Sequence, residues 1–408
     1  MGPAYGLRMN NPPLSFTTLP VVSGVSSGST PPSGPALLSK TESSLEATTN
    51  ITLNETLPSG FKLTGIVSGP GTATTVWAKA GPNDVYCGLV DAQGKYVVIL
   101  PAGNYGLSVS FTPSGIPTGQ RVSVVAAIPG SVQVASDTMR DITLPSVPVF
   151  NVSGTVSGIA NLGTPSTLSI QFASADAGTG GSFPVTNGSY SGMLPTGNYT
   201  VGISADMTSP QPMGPTQSLG IYSLGFATIG GNATLPPFTV PATATLSGTV
   251  RGVSPPAIGI TVAATGPDGM ISSSSGADMF TAQYQALLPN STAYALRVSM
   301  MLTQGTDYLG SITFPLSGSS LNLTGNTGNY DFSVPSLPGR VTISGRVIDS
   351  NGNPAKGAAV YGVSESITGT PDLRYMNVAQ TDASGNYSLT VLSGRNYTLT
   401  FMPPLLPQ

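Results

Sequence analysis

The chain repeats itself at domain length. An alternating strand centred on one glycine recurs as KLTGIVSG (Lys62 to Gly69), NVSGTVSG (Asn151 to Gly158), TLSGTVRG (Thr245 to Gly252) and TISGRVID (Thr342 to Asp349). The glycines, Gly65, Gly154, Gly248 and Gly345, stand 89, 94 and 97 residues apart. A period this long is a whole small domain, so the 408 residues read as tandem copies of one unit.

Each unit continues with two short strands joined at a Pro/Gly/Asn turn, each carrying a tyrosine. The pairs are Tyr96/Tyr105, Tyr190/Tyr199, Tyr284/Tyr294 and Tyr387/Tyr397, and they read as hairpins. A closing strand follows, as DITLP from Asp141, NATLP from Asn232 and DFSVP from Asp331. The period-2 alternation, as in YSLTV from Tyr387, predicts strands with one face on a core. Proline after many of these runs marks strand ends. Nothing reads as a firm helix. SKTESSLEATTN (Ser39 to Asn50) reads as a polar loop, ahead of a single helical turn.

The fourth unit, SGRVIDSNGNPAKGAAVYGV…TDASGNYSLTVLSGRNYTLTF, resembles the carboxypeptidase regulatory-like domains, which are small transthyretin-like sandwiches. The resemblance lies in Gly345, Val347, Asp349, Gly352, Pro354, Gly357, Ala358 and Val360, then Thr381, Asp382, Gly385, Tyr387 and Leu389. It implies seven-stranded β-sandwiches and says little about activity. The expected fold is therefore all-β: tandem immunoglobulin-like or transthyretin-like antiparallel sandwiches arranged as beads on a string. The units are 61–150, 151–243, 244–338 and 339–408, with half a repeat at 1–60.

That half-repeat matters most. PAYGLRM around Tyr5 matches the second tyrosine strand, and NITLNETLPSGF (Asn50 to Phe61) matches the closing strands. The fourth unit is the complement, since it ends shortly after Tyr397 without a closing strand. A sandwich lacking its last strand exposes an apolar groove and an open sheet edge. Three arrangements heal it. The half-repeat of one copy can fill the groove of the next and build a fibre; the chain can be a window of a longer array; or the two ends can meet within one molecule and close a ring. The first is the expectation adopted, with Ile51 and Leu53 as donor residues and Tyr397, Leu399 and Phe401 as acceptors. The Gly/Pro/Ser tract Pro20 to Pro35 would be a flexible arm or a wide loop.

Composition narrows the chemistry. Only 8% of residues are charged and the net charge is −3, with no basic stripe to follow phosphates, so nucleic acid is not an expected partner. There is no histidine, and the 17 carboxylates form no recurring pair. No Gly-x-Ser-x-Gly elbow is present. No enzyme activity, cofactor or metal is expected. Asp349-Ser-Asn351-Gly-Asn353 opens like a calcium loop, but Pro354 and Val360 stand where its glycine and glutamate belong, so it reads as a polar turn. The single cysteine, Cys87, cannot form an intrachain disulfide. The five lysines, Lys40, Lys62, Lys79, Lys95 and Lys356, are candidates for a Lys–Asn cross-link only if an acid lies beside them. No apolar run is long enough to span a membrane as a helix.

Half of the twenty asparagines begin an N-x-S/T sequon: Asn50, Asn54, Asn151, Asn187, Asn198, Asn232, Asn290, Asn322, Asn386 and Asn396. They are candidate carriers of N-linked glycans. The resulting expectation is an extracellular or cell-surface structural protein that self-associates head to tail into a pilus-like filament. The alternative is a monomeric adhesin stalk or carbohydrate-binding array, which would want an aromatic platform; Trp77 is the only tryptophan.

Overall fold

In the computed structural model, residues 21–23, 36–81, 84–174, 179–207, 217–252, 258–266, 270–278, 281–304, 307–315, 321–364 and 373–403 are described. Tyr5 and most of the Pro20 to Pro35 tract lie outside them. The described residues form strands and a single 3-10 turn at Ile159–Leu162, with no α-helix.

The opening strand of the first unit, Phe61–Ser68, pairs antiparallel with Lys95–Leu100. On its other side it pairs in parallel with two short closing stretches, Thr138–Met139 and Ile142–Thr143. The facing sheet runs Val85–Leu89, Gly71–Lys79, Gly103–Pro113, Arg121–Val134. Leu63, Tyr96, Val98, Tyr105, Val109 and Ile142 are buried between the two layers. Alternation works here because one face of each strand meets the opposing sheet, about 10 Å away, while the other meets water. The second and third units repeat this plan around Val149–Ser157 and Thr243–Arg251.

One local expectation is corrected. The two tyrosine strands of each unit do not form a hairpin. Lys95–Leu100 belongs to one sheet and Gly103–Pro113 to the other. The Pro/Gly turn reverses the chain across the sandwich, and the second tyrosine fixes that corner. Tyr105, Tyr199, Tyr294 and Tyr397 donate their hydroxyls to the carbonyls of Pro101, Pro195, Pro289 and Leu392, at 2.8–3.0 Å.

The four-stranded layers join edge to edge. Arg121–Ser123 pairs antiparallel with Gly180–Ser182, Gln217–Ile221 with Ile271–Ser275, and Ser311–Thr313 with Arg374–Met376. Side chains reinforce the joints: Val122 is buried in the core of the second sandwich, and Tyr375 donates its hydroxyl to the Leu309 carbonyl. At the first sandwich the corresponding edge, Val85–Leu89, is covered in parallel by Val21–Ser23.

The fourth sandwich is built from both ends of the chain. Arg340–Ile348 pairs antiparallel with Asn386–Leu392 and in parallel with Ile51–Thr52 and Glu55–Thr56. Its other layer runs Arg374–Gln380, Ala359–Ser364, Arg395–Met402, Lys40–Ala47. The sequence reading of Ser39 to Asn50 as a loop is thus corrected to an edge strand. Its charges and a bulge obscure the pattern: Ser44 has φ 59°, and the register shifts between Glu42 and Leu45.

This closure dictates the arrangement of all four units. Twelve strand spacings separate Gly71–Lys79 from Ala359–Ser364 along the continuous sheet, roughly 60 Å if it were flat. The peptide from Thr56 in the fourth sandwich to Phe61 in the first reaches about 18 Å at most. The string of sandwiches therefore curves back on itself. Of the three arrangements open to the sequence, the structure holds the one in which the two ends meet within one molecule.

Candidate functional site: the completed fourth sandwich

The closing segment enters a groove left by the fourth unit. Asn50 and Asn54 accept the backbone N–H groups of Thr342 and Arg346 on their side-chain oxygens, both at 2.9 Å. Between them, the Leu53 N–H donates to the Ser344 carbonyl at 2.8 Å. The Leu53 carbonyl accepts the Tyr387 hydroxyl at 2.9 Å. It passes so close over Gly345 that a Cβ there would lie 1.8 Å from its oxygen. Leu57 ends the segment, fully buried, with its N–H on the Ile348 carbonyl at 2.9 Å. The segment is thus tied to the groove by the Leu53 and Leu57 N–H groups, the Leu53 carbonyl and the Asn50 and Asn54 side chains.

The same clamp recurs where the chain closes its own earlier units. Asp137 and Asp141 accept from Lys62 and Ile66, Asn232 from Asn151, and Asn326 and Asp331 from Thr245 and Thr249. Tyr96 and Tyr284 donate to the Arg140 and Tyr330 carbonyls, which lie over Gly65 and Gly248. Asp331 also meets Arg251, and that contact, then the Thr249 N–H, holds its carboxyl below the ordinary range.

In the second unit the first tyrosine stands apart. The Tyr190 hydroxyl is buried with no hydrogen-bond partner. Tyr190→Phe is therefore expected to leave stability unchanged or raise it. Tyr284→Phe, which orphans the Tyr330 carbonyl, should cost about 1 kcal/mol. Denaturant midpoints of the two variants check this; equal losses would contradict it.

The five residues singled out by sequence come together. Tyr397, Leu399 and Phe401 are fully buried in the core shared by the third and fourth sandwiches, and Ile51 and Leu53 pack half-buried against that core. Ile51 sits opposite Ile343 in the parallel register, and Tyr387 meets Phe401 edge-on at 5.8 Å. Sequence reasoning missed Glu55 and Leu57, and named Lys40 only among the five cross-link candidates. The TLP in NETLPSGF offered one cue, since Leu57 is the apolar residue before a strand-ending proline.

The other sequence candidates are dispersed. Nine of the ten sequon asparagines are exposed; Asn396, on Arg395–Met402 beside Glu46, is half-buried. The Asp349 carboxylate is occupied by its own loop, accepting the N–H groups of Asn351 and Asn353 at 2.8 Å and the Asn353 amide at 3.1 Å. No group of three or more metal-ligating side chains occurs among the described residues. Lys40 is engaged by Glu55 and Glu42. Burial pushes the Cys87 thiol up to about 11, and Trp77 donates its indole N–H to Ser110 at 3.0 Å. No helix of the described residues is long and apolar enough to cross a membrane.

The titration behaviour of the core points to alkali as its weakness. Burial pushes Tyr105, Tyr190, Tyr199 and Tyr375 up to about 12, and Tyr96, Tyr284, Tyr387 and Tyr397 higher still. Lys40 is raised above 10.5, first by its bond to Glu55 and then by Glu42. A raised folded-state pKa stabilises fully below the unfolded value and is lost as pH climbs towards the folded one. Unfolding is therefore expected to set in between about pH 10, the ordinary tyrosine value, and pH 12. Phenolate absorbance and circular dichroism followed against pH should change together; buried tyrosines ionising near 10 with the fold intact would contradict this.

No family model matches the chain, and no curated protein matches it. Several solved structures are similar. The TIE protein of Bacillus anthracis is 12% identical, over 88% of this chain and 68% of that one, with a TM-score of 0.18. The shaft pilin spaA of Lactobacillus rhamnosus is 8% identical, over 44% and 97%, with a TM-score of 0.17. The tip fimbrial protein Mfa3 of Porphyromonas gingivalis is 10% identical, over 57% and 100%, with a TM-score of 0.20.

Proposed function

We propose that the protein is a structural subunit of an extracellular, pilus-like filament, joined head to tail when the closing segment of one copy completes the fourth sandwich of the next. The observation that carries this is the clamp itself. Asn50, Leu53, Asn54 and Leu57 make their contacts with residues some 290 positions away in sequence. None of these contacts requires that the segment belong to the same molecule. Exchanged between copies, the same contacts open the ring into a chain of sandwiches, and concentration decides between the two forms. A surface of hydroxyls and amides with few charges suits a structure outside the cell, because salt has few ion pairs to screen there. The role is mechanical, and no catalysis is assigned.

The test is electron microscopy of the chain refolded from denaturant at high concentration, beside the Ile51→Asp/Leu53→Asp variant. Filaments with a four-sandwich axial repeat are expected from the wild type. The variant should give none while its first three sandwiches stay folded, since two half-buried carboxylates would have no partners in the groove. Wild-type rings alone, or normal filaments from the variant, would overturn the reading.

A further inference from the structure

One buried position changes character only in the fourth sandwich. Opposite the valine two residues past the repeat glycine, the closing segments place Ile142 on Val67, Phe238 on Val156 and Phe332 on Val250. In the fourth sandwich Glu55 stands on Val347. It is 6% exposed, as buried as Phe238.

A second replacement accompanies it. Four residues past the second tyrosine, Ile203 pairs with Ile221 and Val298 with Phe314, whereas Phe401 pairs with Lys40. The Lys40 ammonium reaches Glu55 at 2.5 Å and Glu42 at 3.0 Å. Two apolar positions have thus become one ion pair, and both of its members lie on the segment that completes the sandwich.

That placement has a physical consequence. An ion pair spends much of its attraction on losing water, whereas Phe or Ile in the same place gains by losing it. When the segment withdraws, Lys40 and Glu55 leave together. No orphaned charge remains in the groove, whose walls at Val347 and Phe401 stay apolar.

We propose that the Lys40–Glu55 pair makes this segment the detachable one of the four, so that the ring opens at the fourth sandwich to admit the same segment of a second copy. The inference rests on the exchange reading above and names its gate. The other three closing segments, sealed by Ile142, Phe238 and Phe332, stay shut.

Amide hydrogen exchange on dilute, monomeric full-length protein tests this directly. In the wild type the N–H groups of Leu53 and Leu57 should exchange about tenfold or more faster than their counterparts Arg140, Leu144, Tyr330 and Val334, a difference of about 1.4 kcal/mol in opening. In Lys40→Ile/Glu55→Ile they should slow by a similar factor. If that variant folds poorly, Glu55→Ile alone, with Lys40 kept on Glu42, should show the same slowing. Equal protection of all closing segments in the wild type, or no slowing in the folded variants, would overturn the proposal. Because the readout needs no polymer, a wild type that never forms filaments counts against the exchange reading alone. Filaments that form equally fast from the apolar variant count against the gate alone.

Discussion

Gly345→Val is expected to open the fourth sandwich and leave the other three closed. A Cβ at this position would meet the Leu53 carbonyl oxygen at 1.8 Å and its carbon at 2.6 Å. Backbone atoms at that distance cannot swing aside as a side chain can, so the whole closing segment must lift. Lifting it breaks the Leu53–Ser344 and Tyr387–Leu53 hydrogen bonds and exposes Leu57, together with the half-buried Ile51 and Leu53. Losing a packed apolar segment and its bonds corresponds to about 4 kcal/mol. The measurement is denaturant unfolding combined with limited proteolysis: an early low-stability transition, with cleavage confined to the stretch around Asn50 to Gly60. Gly154→Ala serves as the contrast, since its nearest neighbour at 2.3 Å is the Tyr190 hydroxyl, the end of a side chain with no bond to lose. It should cost much less. Equal losses would mean that the closing segments do not depend on these glycines.

The second large effect belongs to Tyr397. Its ring is fully buried against Tyr375, edge-on at 6.2 Å. Its hydroxyl both donates to the Leu392 carbonyl and accepts the Leu392 N–H, each at 2.9 Å. Tyr397→Ala should cost about 4 kcal/mol, because it leaves a ring-sized cavity and two unpaired backbone groups. Tyr397→Phe keeps the ring and removes only the bonds, so about 1–2 kcal/mol is expected. Thermal or denaturant unfolding of the pair measures both. A Phe variant as damaged as the Ala variant would show that the corner bond, and not packing, holds the turn.

How far the sequence revealed this molecule follows from the same residues. The glycine–tyrosine spacing was legible because both have steric jobs: Gly345 admits a carbonyl that Tyr387 then binds, and the pattern repeats at Gly65/Tyr96 and Gly248/Tyr284. The match of Asn50 to Phe61 with the closing strands was legible for the same reason, since Asn50 and Asn54 occupy the places of Asp137 and Asp141. What stayed hidden was anything set by a partner strand. Tyrosine strands around a tight turn look identical whether they pair with each other or cross to opposite sheets. KTESSLEA hides its strand because Lys40 and Glu42 pair with each other on a bulged edge, and such edges carry charge in place of alternation. Which molecule supplies the closing segment leaves no trace in sequence, because a donor within the chain and a donor from a neighbour need the same side chains. Nothing in the sequence distinguishes Glu55 from a surface glutamate; only its register against Val347 places it among Ile142, Phe238 and Phe332.

Lys40–Ala47 and Arg395–Met402 are neighbours in one sheet, and a disulfide between them would report it. Thr41 and Thr400 are register partners with hydroxyl oxygens 3.5 Å apart, so Thr41→Cys/Thr400→Cys should oxidise readily under mild conditions. Non-reducing electrophoresis and intact mass then read the outcome. A cross-linked monomer is expected from dilute protein, and a ladder of cross-linked multimers from assembled protein. Two thiols that stay reduced under both conditions would show that the chain ends never meet, within a molecule or between molecules.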